Sequence, residues 1–464
     1  MSEHYAWYKQ VDVLVVGTGF AGLTAAIEAK EAGKEVIVIE KMKAAGGNSI
    51  ISDGGIAAPE TLVQKKQGIE DSEQLLYDDM ISAGLGLNHP KLLRTFVANA
   101  RDAFQWTVDY LKVPYMDRVD LFGGHSVPRC HTPEGITGNT ILERMLSKIE
   151  ELGIPILYST FFKSPITDDN GSVIGCSVYK EYDYRIDTGE LGHIRTKNGI
   201  ILASGGYGAD VQFRSIQDPR LDESILTTNK PFATAEVLKS ALSIGAASVQ
   251  LSHIQLGAWA SPDEPGFGHG PMFADYIVFK HGIVVDPKSG KRIVNELGDR
   301  KRSADAILAT GHPCLGIADH KAVETSGWDI SKAINKGVVK VFDTVESLAS
   351  FYDVEPESLK DTIKRYNVFI HKGNDDDFGK PVVDDAKGIQ NPPYYAMRLW
   401  PKVHFTMGGL RINEKAQVLD FDGKIIDGLY AAGEIAGGVH GASRLASCAI
   451  TECIVFGRIA GQNI

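Results

Sequence analysis

The sequence predicts an α/β fold in which the two ends of the chain build one ligand site, and two observations carry that prediction. The first is a short apolar run, VDVLVV at 11–16, that passes directly into GTGFAG at 17–22. The second is a set of glycine clusters at the far end: VHFTMGG at 403–409, GLYAAGE at 428–434 and GGVHGASR at 437–444. Two basic side chains, His404 and Arg444, stand among those glycines.

VDVLVV is β-branched and unalternating, the pattern of a strand buried on both faces of a parallel sheet. LTAAIEAKEAG then has helical spacing and ends at Gly33, which suits the left-handed position after a helix. EVIVIE at 35–40 is a second strand, closing on Glu40. In this strand–turn–helix–strand context each glycine of the motif has a task. Gly17 permits the tight turn, Gly19 lets a pyrophosphate approach the backbone, and Gly22 allows close packing of helix on strand. Phe20 and Ala21 open the helix, whose amino end carries partial positive charge. Glu40 suits a pair of ribose hydroxyls, with Lys41 beside it.

Further segments point to a long dinucleotide, FAD. In MKAAGGNSIISDGG at 42–55, two glycine pairs flank small and hydroxyl residues. That places Gly47, Asn48, Ser49, Gly54 and Gly55 along a pyrophosphate and a flavin ring. ILASGGYG at 201–208 repeats the strand-to-glycine design with Ala203, Ser204 and Gly205. GLYAAGE adds Gly433 and Glu434 where a ribityl chain would be held. Only one GxGxxG unit opens a helix, so no second domain for NAD(P)H is expected. Electrons are expected from a separate reductase, a free reduced flavin, or NAD(P)H bound in another way.

Composition sets the class. A chain of 464 residues, 43% hydrophobic and 23% charged, is an ordinary globular protein of two or three domains. The net charge of −11 argues against nucleic acid and anionic membranes as partners. MSEHYAWYKQ lacks the apolar core of a leader, and no apolar run is long enough to span a bilayer. The five cysteines form no CxxC pattern, so no iron–sulfur or zinc site is expected. They read as buried thiols in a reducing cytoplasm. The acidic run at 375–377 is not expected to hold a metal, and 373–381 reads as a solvated loop after an amphipathic helix at 359–373.

On GTGFAG, GGNSIISDGG, FGGHSVPR (122–129), NELGDRKRSADAIL (295–308), VHFTMGG and GLYAAGEIAGGVHGASR, the chain resembles the fumarate reductase/succinate dehydrogenase flavoprotein family. The likeness is to its soluble branch of flavocytochrome c fumarate reductases and urocanate reductase. It implies a discontinuous Rossmann-like FAD-binding domain (1–240 and 351–464) with an inserted α+β capping domain (241–350). It implies an ene-reductase: hydride from flavin N5 to an activated C=C of an α,β-unsaturated acid or carbonyl compound, and a proton from Arg300. His404 and Arg444 match the pair that holds a substrate carboxylate, a task to which a bidentate guanidinium is suited. Asn48 and Ser49 replace the histidine that carries FAD covalently in membrane-bound members, so noncovalent FAD is expected. RLASCA at 444–449, in place of the family's RLGGNA, puts Ser447 and Cys448 near the flavin's pyrimidine edge, and Ala449 and Ile450 are expected to touch the cofactor as well.

Three departures from the family matter. Gly257, in HIQLGAWAS at 253–261, stands where a histidine for a second carboxylate is expected. Asp275–Tyr276 replace a threonine–glutamate pair, and Phe279 replaces the outer arginine of a proton relay. An acidic Asp275 repels a second carboxylate, and a glycine at 257 is expected to open space for a bulkier substrate beside Trp259, Phe267, Phe273 and Phe405. Asp275 offers an acceptor to a hydroxyl, imidazole or ammonium group, and Tyr276 is an alternative acid. Two other readings stay open: a dehydrogenase desaturating a ketone such as a steroid, and a noncatalytic electron-transfer subunit.

Overall fold

Five parallel strands form the heart of the main sheet, in the order Ile425–Ala431, Thr188–Leu202, Trp7–Val16, Val36–Ile39 and Ile156–Leu157. The computed structural model describes residues 5–383 and 386–464; residues 1–4, part of the stretch read for a leader, lie outside the described residues. Gln417–Leu419 adds an antiparallel edge, and Phe161–Thr167 and Val173–Asp183 fold as a meander onto the long Thr188–Leu202 strand.

Register explains why the glycine motifs meet. Val16 pairs with Ile39 on one side and Leu202 on the other, and Leu202 pairs with Ala431. The turns after these strands therefore emerge at one level, at the carboxyl edge where open α/β sheets bind ligands. Main-chain bonds from Gly17 N to Ile39 O (2.9 Å), Ala203 N to Val16 O (2.9 Å) and Ala432 N to Leu202 O (3.0 Å) tie that edge together.

The helix Phe20–Glu31 starts at Gly19 without a side-chain cap and ends before Gly33, whose φ is +82°. It packs on the helix Cys448–Asn463, and glycines set the separation. A Cβ on Gly457 would lie 2.8 Å from Ala21 O, and one on Gly461 2.5 Å from Ala25 O. Arg458 Nε pairs with Glu28 at 2.6 Å across the same contact.

A second, antiparallel sheet runs Lys291–Arg292, Ile283–Asp286, Cys314–Asp319, Tyr394–Leu399 and Lys340–Phe342. The chain reaches it and returns through a ribbon of Ile254–Gly257 paired with Lys402–Thr406. The strand Tyr394–Leu399 pairs along the whole of Cys314–Asp319, so this sheet takes in chain beyond the expected limit at 350. Leu359, Ile363 and Tyr366 of the helix Pro356–Lys372 also pack in its core, with Ile283, Leu315 and Ile317. Nothing in local composition marks residues that are joined to this layer only by pairing.

The segment 373–381 is largely exposed, as expected, but two of its side chains turn inward. Asp375 and Lys380 are buried. Arg292 donates to Asp375 at 3.1 and 3.0 Å and to Glu296 at 3.1 and 2.8 Å, while Lys380 Nζ lies 3.4 Å from Glu296. Buried charges are tolerable only when paired in this way. Among the described residues, no helix is long and apolar enough to cross a membrane, and no group of His, Cys, Asp and Glu is arranged to hold a metal. Arg292→Met leaves Glu296 and Asp375 short of a buried partner; it should cost about 3 kcal/mol or more, read as a shifted midpoint in denaturant unfolding.

Candidate active site

Two cavities meet at the carboxyl edge of the main sheet, sharing Phe20, Asn48, Ser49, Glu434 and Cys453 in their walls. The first is lined by Gly17, Gly19, Phe20, Ala21, Glu40, Lys41, Gly47, Asn48, Ser49, Ala203, Ser204, Gly205 and Glu434, all expected from the sequence to touch a dinucleotide. The second holds Gly55, Ser447, Ala449 and Ile450 together with Asp275, Arg300, His404 and Arg444. Gly22, Gly54 and Gly433 line neither and serve packing. A Cβ on Gly22 would sit 2.0 Å from Gly17 O, one on Gly54 2.6 Å from the Pro133 ring, and one on Gly433 2.8 Å from Ala21 Cβ.

The residues present fit a dinucleotide. Gly17 adopts φ +105°, and a Cβ there would meet Ala203 O at 2.5 Å. The amino end of the helix Phe20–Glu31 faces the cavity with no cap from Gly19, and Phe20 N donates to Ser49 Oγ at 3.1 Å. Ser204 Oγ is buried without a hydrogen-bond partner. Glu40 is oriented by Thr18, whose N and Oγ1 donate to Oε2 at 3.2 and 2.5 Å, and by Met42 N, which donates to Oε1 at 2.9 Å.

The second cavity gathers its charges from four separate segments. Arg300 is the first residue of the helix Arg300–Ala309, capped by Asp299. Ser443 Oγ also donates to Asp299 at 2.9 Å, which fixes that helix end against the Arg444 segment. Gln255 Nε2 donates to Arg444 O at 2.8 Å. The Arg444 guanidinium lies 4.7 Å from the Phe405 ring centroid, and its Nε is buried without a partner. Burial and the nearby Arg300 charge lower Arg444 to about 10, so it stays charged. His404 is held by Thr228 Oγ1, 2.9 Å from Nδ1. Burial, with Arg444 and Arg300, keeps its imidazole well below the usual range and therefore neutral.

Asp275 rides a π-type turn, Ala274–Val278, and faces Arg300 with 3.5 Å between Oδ2 and Nη2. Burial pushes its carboxyl up to about 7 against the opposing pull of Arg300. Glu434, accepting from Thr406 N and Oγ1 at 2.9 and 3.1 Å, is pushed to about 7 by burial as well. Tyr276 does not line the cavity: its hydroxyl points to Asp53 Oδ2 at 3.4 Å and its ring packs edge-on to Phe122.

Gly257 does not open space. A Cβ there would meet the Trp259 ring at 2.8 Å, because that ring occupies the volume a larger side chain would take. Trp259 is buried, edge-on to His404 at 4.6 Å and to Phe267 at 5.4 Å, with the Arg300 guanidinium 5.5 Å from its ring. The expectation of a roomier pocket is thus corrected. Trp259, Phe267 and Phe405 line the cavity, whereas Phe273 is fully buried away from it. The sequence reading missed Thr228, Asn229 and Asp53. The first two lie in a loop with no motif. Asn229 Nδ2 donates to His404 O at 3.0 Å, and Asn48 Nδ2 donates to Asn229 Oδ1 at 2.6 Å.

A glycine-edged parallel sheet with an arginine-lined pocket over its carboxyl end is the arrangement of a dinucleotide-binding protein. The FAD binding domain family matches residues 12–450. The chain is 40% identical over 464 residues to the acrylate reductase flavoprotein subunit of Shewanella woodyi, covering 98% of this chain and 91% of that one. It is 33% identical over 461 residues to the urocanate reductase of Eggerthella lenta, covering 98% and 74%. The open conformation of a flavocytochrome c3 fumarate reductase superposes with a TM-score of 0.77 at 31% identity, covering 99% of this chain and 78% of that one. The chain belongs to this fumarate reductase-like family of FAD-binding flavoproteins. It is an FAD-dependent oxidoreductase acting on carbon–carbon double bonds.

The electrostatics give a signed expectation. As pH rises through about 7, Asp275 and Glu434, both in the wall of this cavity, ionise and weaken the pull of the two arginines on a carboxylate. Propionate should therefore bind the FAD-loaded protein about fivefold more tightly at pH 6 than at pH 8. Asp275→Asn should remove the share of that slope due to Asp275 and leave that of Glu434; flavin absorbance titrations read both.

Proposed function

We propose that this protein reduces the double bond of a short α,β-unsaturated monocarboxylate, with FAD bound noncovalently and electrons supplied by a separate donor. The observation that carries the reading is the one-ended charge of the cavity. Arg444 and His404 form a carboxylate clamp at one end, while Trp259 fills the volume beside Gly257. A second carboxylate would meet Trp259 and Asp275 in place of a cationic partner. The 40% identity to an acrylate reductase subunit supports this size and charge.

In this reading the unpaired Arg444 Nε and the neutral His404 hold the carboxylate and draw charge from the conjugated double bond. FAD, when bound, supplies the hydride chemistry. Arg300 holds the proton destined for the carbon beside the carboxylate. The aromatic wall of Trp259, Phe267 and Phe405 keeps solvent from the reacting atoms. Asn48 is committed to Asn229, and neither Asn48 nor Ser49 offers an imidazole for a covalent bond to the flavin. A donor carried on another chain is supported by the relative's description as a flavoprotein subunit. Five free cysteines, four of them buried, suit a reducing compartment such as the cytoplasm.

Anaerobic reoxidation of the reduced protein by acrylate, crotonate, fumarate, urocanate and cinnamate tests the assignment. Acrylate or crotonate should reoxidise it fastest and fumarate at least about 100-fold more slowly, the loss expected for an unpaired buried charge. Trp259→Ala should raise the rate with cinnamate about tenfold relative to acrylate. Equal rates with fumarate, or cinnamate as the best substrate of the unaltered protein, would sink the reading. Arg300→Ala should lower kcat about 10³-fold while FAD stays bound.

A further inference from the structure

A neutral imidazole has one N–H and one lone pair, so His404 can hold a carboxylate only if the nitrogen offered to it carries the hydrogen. Burial, with the Arg444 and Arg300 charges, keeps this ring neutral. Its Nδ1 meets Thr228 Oγ1 at 2.9 Å, which leaves Nε2 for the substrate cavity that His404 lines. The hydrogen of the Thr228 hydroxyl therefore decides what His404 presents to an anion. Pointed at Nδ1, it places the ring proton on Nε2, a donor. Pointed elsewhere, it lets Nδ1 keep the proton, and Nε2 turns a repelling lone pair on a carboxylate.

The bonds around Thr228 settle the direction, starting from a donor of fixed sense. Lys230 N donates to Asn48 Oδ1 at 2.8 Å, so Asn48 turns its Nδ2 to Asn229 Oδ1, 2.6 Å away. Asn229 Nδ2 in turn donates to His404 O and to Thr227 Oγ1, both at 3.0 Å. Asn229 N donates to Thr227 Oγ1 as well, at 3.1 Å. With both lone pairs of that oxygen occupied, the Thr227 hydrogen goes to Val403 O, 3.0 Å away. Val403 O also accepts from Thr228 N at 2.9 Å, which fills its two lone pairs. The Thr228 hydroxyl stands back from that carbonyl, at 3.4 Å, and is closer to Nδ1. Thr228 and Asn229 are both buried, so solvent is a poor competitor for these bonds. The hydrogen of Thr228 is left to His404.

We propose that Thr228 is a positioning residue that fixes His404 as its Nε2–H tautomer, with Asn48, Asn229 and Thr227 setting the sense of the Thr228 hydroxyl. The proposal rests on His404 holding the substrate carboxylate. It adds a directed N–H beside Arg444, whose buried Nε also lacks a partner, and so selects an anionic acceptor. The series of bonds begins at Asn48, which stands in the wall of both cavities, and ends at the clamp. One short stretch of chain, 227–230, thus orders a residue of the dinucleotide cavity and a residue of the substrate cavity together.

Long-range proton–nitrogen NMR of the FAD-loaded protein, labelled at histidine, reads the tautomer; the His404 signals are those missing from His404→Gln. The unaltered protein should show a protonated Nε2 and a bare Nδ1. Thr228→Val keeps the shape of the side chain and loses the hydroxyl. It should populate the Nδ1–H form and raise the Kd of propionate and the KM of acrylate about tenfold, with kcat changed less. Thr228→Ser should return both constants to within about twofold of the unaltered protein. Thr227→Val leaves the imidazole untouched but frees a lone pair on Val403 O for Thr228. It should shift the tautomer part of the way and raise the Kd of propionate about threefold. FAD content should hold in every variant. A proton on Nδ1 of His404 in the unaltered protein would overturn the proposal, as would an unchanged tautomer and Kd in Thr228→Val. If His404→Gln binds propionate as tightly as the unaltered protein, the carboxylate clamp itself falls. Weak binding by His404→Gln beside unchanged binding by Thr228→Val removes the role of Thr228 alone.

Discussion

The contact between the helix Phe20–Glu31 and the helix Cys448–Asn463 is the constraint on which the site depends. It brings the glycine turn at the start of the chain beside Glu434 and Arg444 near its end. The contact is close because Gly457 and Gly461 meet the Ala21 and Ala25 carbonyls without a side chain between them. Buried backbone approaching this closely leaves little freedom for rotation or slip. Strand register does the rest, levelling the turns after Val16, Ile39, Leu202 and Ala431 at one edge.

Over that edge the protein concentrates positive charge where solvent is largely excluded. Arg300 and Arg444 repel one another, and His404 is kept neutral between them. Two carboxyls, Asp275 and Glu434, titrate near neutrality in the same region. An anion bound between the arginines would relieve that repulsion. The aromatic wall strengthens this effect by lowering the local dielectric and by fixing the volume available to the rest of the substrate.

Much of this was legible in the chain. The βαβ pattern around GTGFAG, the role of Gly17, and the placing of His404 and Arg444 among glycines could be expected, because glycine spacing and strand periodicity are local signals; Arg300 follows from the family resemblance alone. Three things were not. The second sheet's strand at 394–399 is joined to its layer only by pairing with Cys314–Asp319. Asp375 and Lys380 look solvated until Arg292 and Glu296, far away in sequence, are brought against them. Gly257 suggests a void until Trp259 is seen in it.

By itself, then, the sequence determined the dinucleotide frame, which rests on residue type and short spacing, while its resemblance to a family picked out the charged groups. Tertiary structure decided the shape of the pocket and the fate of its acids. Whether a missing side chain leaves a cavity depends on what a neighbour two residues on does with the space. Whether Asp275 is a surface carboxylate or an acid poised near neutrality depends on burial and on Arg300, and neither is a property of the segment that carries it.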